Sequence, residues 1–135
     1  METILNLLSN ATTMNEVALS PFNPKLEVGD VIIYDSTLRD GEQTPGVTFN
    51  LEQKVAIARK LDEMGVPEIE AGFPAVSERE RASVRAICDE GLDAKILVLS
   101  RITKEDIDAS VDAGVDMVLL FIGTSDLHIK HKFKK

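Results

Sequence analysis

Three times in this sequence an amphipathic segment runs out on a glycine and passes at once into a short apolar run. The junctions read Met64-Gly65-Val66-Pro67, Glu90-Gly91-Leu92-Asp93 and Ala113-Gly114-Val115-Asp116. Glycine closes helices because it enters the left-handed conformation without the steric penalty of a Cβ. A helix end that turns directly into a strand, repeated at the spacing of one βα unit, leaves few folds open. It predicts parallel strands joined by right-handed crossovers.

The flanking residues agree with that rhythm. Segments 31–34, 68–71, 96–99 and 117–122 are short, nearly continuous apolar runs rich in branched residues, as strands buried on both faces should be. Between them, 51–64, 78–90 and 104–113 carry apolar residues at helical spacing: Val55, Ala58 and Leu61 with Ile57, then Val84, Ile87 and Cys88. Each opens on capping chemistry, Asn50 with Gln53, Ser77 with Glu80 and Thr103 with Asp106. The fold class is therefore α/β, with about four parallel strands and three helices. A doubly wound open sheet and a (β/α)8 barrel both satisfy this pattern. Residues 1–28, with a weakly amphipathic stretch at 4–8 and prolines at Pro21 and Pro24, read as a leader outside the folded domain of 29–135.

Composition removes several function classes. The longest apolar run, 117–122, is far short of the roughly 18 residues of a membrane span. A net charge of −8, with four of the nine lysines in the last six residues and no interleaved basic and aromatic face, argues against nucleic acid as the expected partner. The single cysteine, Cys88, permits neither an internal disulfide nor a multi-thiolate metal site, and the start lacks a signal peptide, which points to the cytoplasm. Without secretion, the Asn10-Ala11-Thr12 sequon is a chance match.

The chemistry-bearing residues fall at the carboxyl ends of the expected strands: 35–46 after the first, Glu70 to Pro74 after the second, Ser100-Arg101 after the third, and 123–126 with His128 after the fourth. In parallel α/β folds that rim holds the active site. Arg39 offers a planar, permanently charged fork for a carboxylate or a developing oxyanion. Asp40 is a hard oxygen donor suited to a divalent ion. The opposing reading is a solvated turn in which Arg39 pairs with Glu42. Glu70 ends a buried-looking strand, where a carboxylate needs a cation or a polar site; the alternative is an edge glutamate facing solvent. Arg101 reads equally as an anion anchor or a rim cation. Thr124 and Ser125 read as capping residues, the alternative being an anion held by backbone amides; His128 and His131 read as a solvated basic tail, the alternative being a metal-holding pair on one helix face; and Cys88 reads as a small core residue.

The string Asp35-Ser36-Thr37-Leu38-Arg39-Asp40-Gly41-Glu42-Gln43-Thr44-Pro45-Gly46, with Ile69-Glu70-Ala71-Gly72-Phe73-Pro74 downstream, closely resembles the N-terminal part of the homocitrate synthase, 2-isopropylmalate synthase and citramalate synthase family. These are metal-dependent barrel enzymes related to hydroxymethylglutaryl-CoA lyase. The resemblance implies the N-terminal half of a (β/α)8 TIM barrel that condenses acetyl-CoA with a 2-oxo acid and then hydrolyses the thioester. It implies that Arg39 stabilises the negative oxygen on the attacked ketone and that Asp40 ligates a divalent metal ion (Mg, Mn or Zn). Gln43 and Arg101 would contact substrate, and Glu70 would act in the same site. Glu42-Gln43 favours the synthases over the lyase branch, and full-length members are expected to be homo-oligomers.

The family's further metal ligands, an H-x-H pair late in the barrel, have no match here, since His128 and His131 have different spacing. A whole barrel needs about 250 residues. The expectation is thus a half barrel from a truncated gene or partial sequence, with weak or no activity alone. The alternatives are a non-catalytic half barrel that pairs with a partner or itself, and an aldol-cleaving enzyme of the lyase type.

Overall fold

The computed structural model describes residues 30–134. The leader expected over 1–28 lies outside them. Tyr34–Lys135 forms a compact unit built as β1 (Tyr34–Asp35), α1 (Leu51–Glu63), β2 (Glu68–Gly72), α2 (Glu78–Cys88), β3 (Lys95–Arg101), α3 (Lys104–Asp112) and β4 (Met117–Phe121). All strands are parallel, in the order β1-β2-β3-β4. That order decides between the two topologies the sequence left open. A doubly wound sheet reverses its strand order at a switch point, whereas strands added successively on one side are the growth rule of a barrel.

The helices begin and end for the reasons read from the sequence. Asn50 accepts from the Gln53 amide while the Gln53 side chain accepts from the Asn50 amide, a complete capping box. Ser77 and Thr103 accept from the amides of Glu80 and Asp106. Gly65, Gly91 and Gly114 follow the helices at φ of 79°, 65° and 82°. α1 and α2 pack side by side over β2, and α3 lies against β3. Val55 and Ala58 of α1, Val84 and Ile87 of α2, and Ile69, Ala71, Ile96 and Val98 of the strands share one buried cluster with Leu38. Cys88 packs against its edge as expected, and burial pushes its thiol up to about 11.

Two strands differ from expectation. Only Tyr34–Asp35 of the first is paired, and residues 31–33 carry no strand. Upstream of Glu68, the Val66 N–H is committed to the Leu61 carbonyl at the end of α1 and so joins no strand ladder. β4 was expected to be buried on both faces. Met117, Leu119, Leu120 and Phe121 are instead exposed, as is the following Ile122. Burial of a strand needs neighbours on both edges and cover on both faces, and β4 has β3 alone as a paired neighbour among the described residues.

Candidate active site

The segment after β1 is anchored before it is functional. Leu38 is completely buried in the core cluster, and the Ser36 carbonyl accepts from the amides of Arg39, Asp40 and Gly41. A 3-10 turn, Gly41–Gln43, follows. The Asp35 carboxylate takes both the amide and the hydroxyl of Thr37. With the backbone curled this tightly and Leu38 locked inward, Arg39 is directed over the end of β2.

Side chains alternate across a strand. In β2, Ile69 and Ala71 enter the apolar cluster, so Glu70 points to the opposite face. Glu70 is fully buried there, and Arg39 Nε donates to its Oε1 at 2.8 Å. Arg39 Nη1 donates to Asp40 Oδ1, also at 2.8 Å. The hydrogen bond to Glu70 holds the Arg39 guanidinium above its already high ordinary value, so it is a permanent cation. Nη2 donates to no other described residue, and the second oxygen of Glu70, Oε2, is buried without a partner. A fixed cation with one free donor edge can stabilise an oxygen that gains negative charge.

A cavity of about 190 Å³ opens beside this pair, lined by Arg39, Glu42, Gln43, Phe73, Val76 and Glu80. Arg39, Asp40, Gln43 and Glu70 are thus brought together, Gln43 on the cavity wall and Asp40 on the exposed side of the loop. The solvated turn closed by an Arg39–Glu42 pair does not form. Glu42 turns to the buried Lys54, at 2.7 Å, and accepts from the Phe49 amide.

Arg101 stands apart from that cavity. Its Nε and Nη2 donate to the two carboxylate oxygens of Asp106 at 2.6 and 2.8 Å, and its guanidinium lies 5.9 Å from the centre of the Phe73 ring. It lines a separate hollow of about 250 Å³ at the ends of β3 and β4. Ser125 accepts from the His128 amide, in the capping role read for it, and both histidines are exposed.

The sequence reading missed Lys54 and Glu80. Lys54 lies in α1 four residues before Ala58 and seven before Leu61, so it shares their inward face; a lysine in that stripe was the available signal. Glu80 was read only as part of a cap. Its amide is capped, but its carboxylate takes Lys54 at 2.7 Å and the Phe73 amide at 3.3 Å.

As for a metal ion, Asp40 has the right chemistry: a hard, largely exposed carboxylate with Oδ2 unengaged among the described residues. No group of three or more His, Cys, Asp or Glu among the described residues could hold an ion. Asp40 fits as one ligand of a set, not as a site. No helix among the described residues is long and apolar enough to cross a membrane.

The chain is 60% identical over 116 residues to homocitrate synthase AksA of Methanocaldococcus jannaschii, covering 86% of this chain and 29% of that protein. It is 61% identical over 104 residues to a probable 2-isopropylmalate synthase of Methanopyrus kandleri, covering 77% of this chain and 21% of the relative. A 2-isopropylmalate synthase of Methanocaldococcus jannaschii is 54% identical over 105 residues, 78% of this chain and 20% of its own length. The chain therefore spans less than a third of these relatives, in their N-terminal part. Residues 30–135 match the HMGL-like family, and with four parallel strands in barrel order beneath the Arg39 loop, the chain belongs to that family as part of a TIM barrel.

Proposed function

We propose that this chain carries the carbonyl-activating part of an active site that condenses acetyl-CoA with a 2-oxo acid. The observation that supports it most is Arg39, pinned through two of its nitrogens to Glu70 and Asp40 while Nη2 has no partner among the described residues. In such a reaction the methyl carbon of acetyl-CoA loses a proton and bonds to the keto carbon. The keto oxygen takes the displaced electron pair and then a proton, and water later cleaves the thioester to release CoA. Arg39 meets the negative oxygen, Glu70 fixes the guanidinium in place, Gln43 contacts substrate from the cavity wall, and Arg101 is a more remote substrate contact. A divalent ion, bound by Asp40 with ligands from elsewhere in the family's barrel, would add Lewis-acid polarisation of the substrate oxygens. Residues 29–135 are then a barrel segment, in a cytoplasmic protein that forms homo-oligomers when whole. The names of the relatives favour synthase chemistry over lyase-type cleavage.

A chimera tests this: residues 30–135 replace the matching segment of the Methanocaldococcus jannaschii homocitrate synthase, and CoA release is followed with several 2-oxo acids and Mg²⁺ or Mn²⁺. The chimera turns over, and Arg39→Ala lowers the rate by roughly 10²–10³-fold, the size seen when an oxyanion donor is removed. Asp40→Asn weakens the dependence on metal. A folded, active chimera indifferent to both substitutions overturns the assignment. The 135-residue chain alone releases little or no CoA. A second reading, a non-catalytic half barrel that pairs through its edge, draws on the exposed apolar side chains of β4.

A further inference from the structure

Lys54 is only 2% exposed, on the inward face of α1. Its Nζ lies 2.7 Å from Glu42 Oε2 and 2.7 Å from Glu80 Oε2. Each carboxylate uses its other oxygen on a rim amide, Glu42 on Phe49 and Glu80 on Phe73. One ammonium therefore joins α1 to the loop that carries Arg39, Asp40 and Gln43 and to the turn that follows Glu70. A buried ion pair returns little net stability against an apolar residue of similar volume. What it does supply is a defined distance between the segments it bridges.

We propose that Lys54 is the positioning residue of this rim, fixing the Arg39 loop against the end of β2 so that the Arg39–Glu70 hydrogen bond is held without itself touching substrate. Gly72 serves the same arrangement. A Cβ at this position would stand 2.0 Å from Glu80 Oε1, so glycine leaves room for the carboxylate that reaches both Lys54 and Phe73. The inference rests on the reading of Arg39 as the working group, but its test reads geometry and not turnover.

The experiment follows hydrogen exchange of the Arg39 Nε–H by ¹⁵N NMR in the full chain, against the slowest backbone amides of β2 and β3, which report global opening. Lys54→Gln is expected to speed Arg39 exchange by about tenfold or more beyond any change in those amides, as local release of the loop requires. Lys54→Arg, which keeps the charge and can still bridge both carboxylates, is expected to restore slow exchange. Glu42→Gln decides the matter if Lys54→Gln does not fold, because it loosens the loop while the Lys54–Glu80 pair stays. Slow exchange retained in Glu42→Gln, or in a folded Lys54→Gln, overturns the proposal. Fast exchange already in the unsubstituted chain would remove the Arg39–Glu70 bond on which it rests, and an inactive chimera would bear only on the condensation reading.

Discussion

Replacing Gly72 by alanine perturbs the most crowded glycine among the described residues. Its φ of +152° is one that L side chains rarely adopt, and the added Cβ would meet Glu80 Oε1 at 2.0 Å, Glu80 Cδ at 3.0 Å and Val84 Cγ2 at 3.4 Å. The strained backbone costs about 1–3 kcal/mol. To make room, Glu80 must swing away from Lys54 and the Phe73 amide, and a hydrogen bond involving a charged group contributes roughly 1.5–3 kcal/mol. Because Glu80 keeps some exposure, solvent recovers part of that loss, and the sum is about 2–5 kcal/mol. Gly91→Ala is the matched control. Its φ is +65° and nothing lies within 4 Å of the added Cβ, so it bears only the left-handed penalty of about 1–2 kcal/mol. Urea denaturation followed by circular dichroism measures both. Gly72→Ala should unfold at clearly lower urea with an unchanged slope, and a midpoint equal to that of Gly91→Ala would refute the role assigned to Glu80.

Three further expectations follow from other parts of the molecule. Burial alone would raise the Glu42 carboxyl, but Lys54 and the Phe49 amide hold it below the ordinary range, and the hydrogen bonds from Arg101 lower Asp106. Their folded values lie below the unfolded ones, so the stabilisation is complete above about pH 5 and is lost as pH falls through the lowered values; Glu42→Gln and Asp106→Asn should each flatten the acid limb of a stability profile, and an unchanged limb in both would contradict the pairing. Cys88, pushed up to about 11 by burial first and by Asp116 and Asp89 next, should resist iodoacetamide at neutral pH and react as pH approaches 11, with rapid labelling at pH 7 the contrary result. Exposed Leu120 and Ile122 at the end of β4 should make the chain self-associate in sedimentation runs, and Leu120→Lys with Ile122→Lys should return it to monomer; a concentration-independent monomer without the substitutions would count against the edge-pairing reading.

How far the sequence could be read depended on the range of the interaction concerned. Helix limits were legible because Asn50, Ser77 and Thr103 cap amides three residues away and Gly65, Gly91 and Gly114 act on their own turns. The proximity of Arg39, Asp40, Gln43 and Glu70 was legible because parallel strands place the segments after them on one rim. The partner of Arg39 was not, since Glu70 and Glu42 are equally plausible by residue type, and the choice is made by the curl around the Ser36 carbonyl. Lys54–Glu80 spans 26 positions and two helices, and no local pattern reports such a pair. The short first strand matches the commitment of the Val66 amide to the end of α1, a constraint held by the segment before β2 and not by residues 31–34 themselves. The order of strands was also beyond local pattern, because identical βα phrases build open sheets and barrels alike.

Rim loops on barrel scaffolds are often treated as exchangeable parts, since the strands beneath them carry the fold. The shared ammonium of Lys54 makes this one an exception. A loop grafted in place of 36–49 without a carboxylate at the position of Glu42 would leave half of a buried charge unanswered, and the same loop moved onto a scaffold lacking a lysine in its first helical turn would arrive without its mooring. The unit of transplantation is the loop together with α1 and the first turn of α2, which sets a lower bound on the segment that recombination, natural or designed, can move intact.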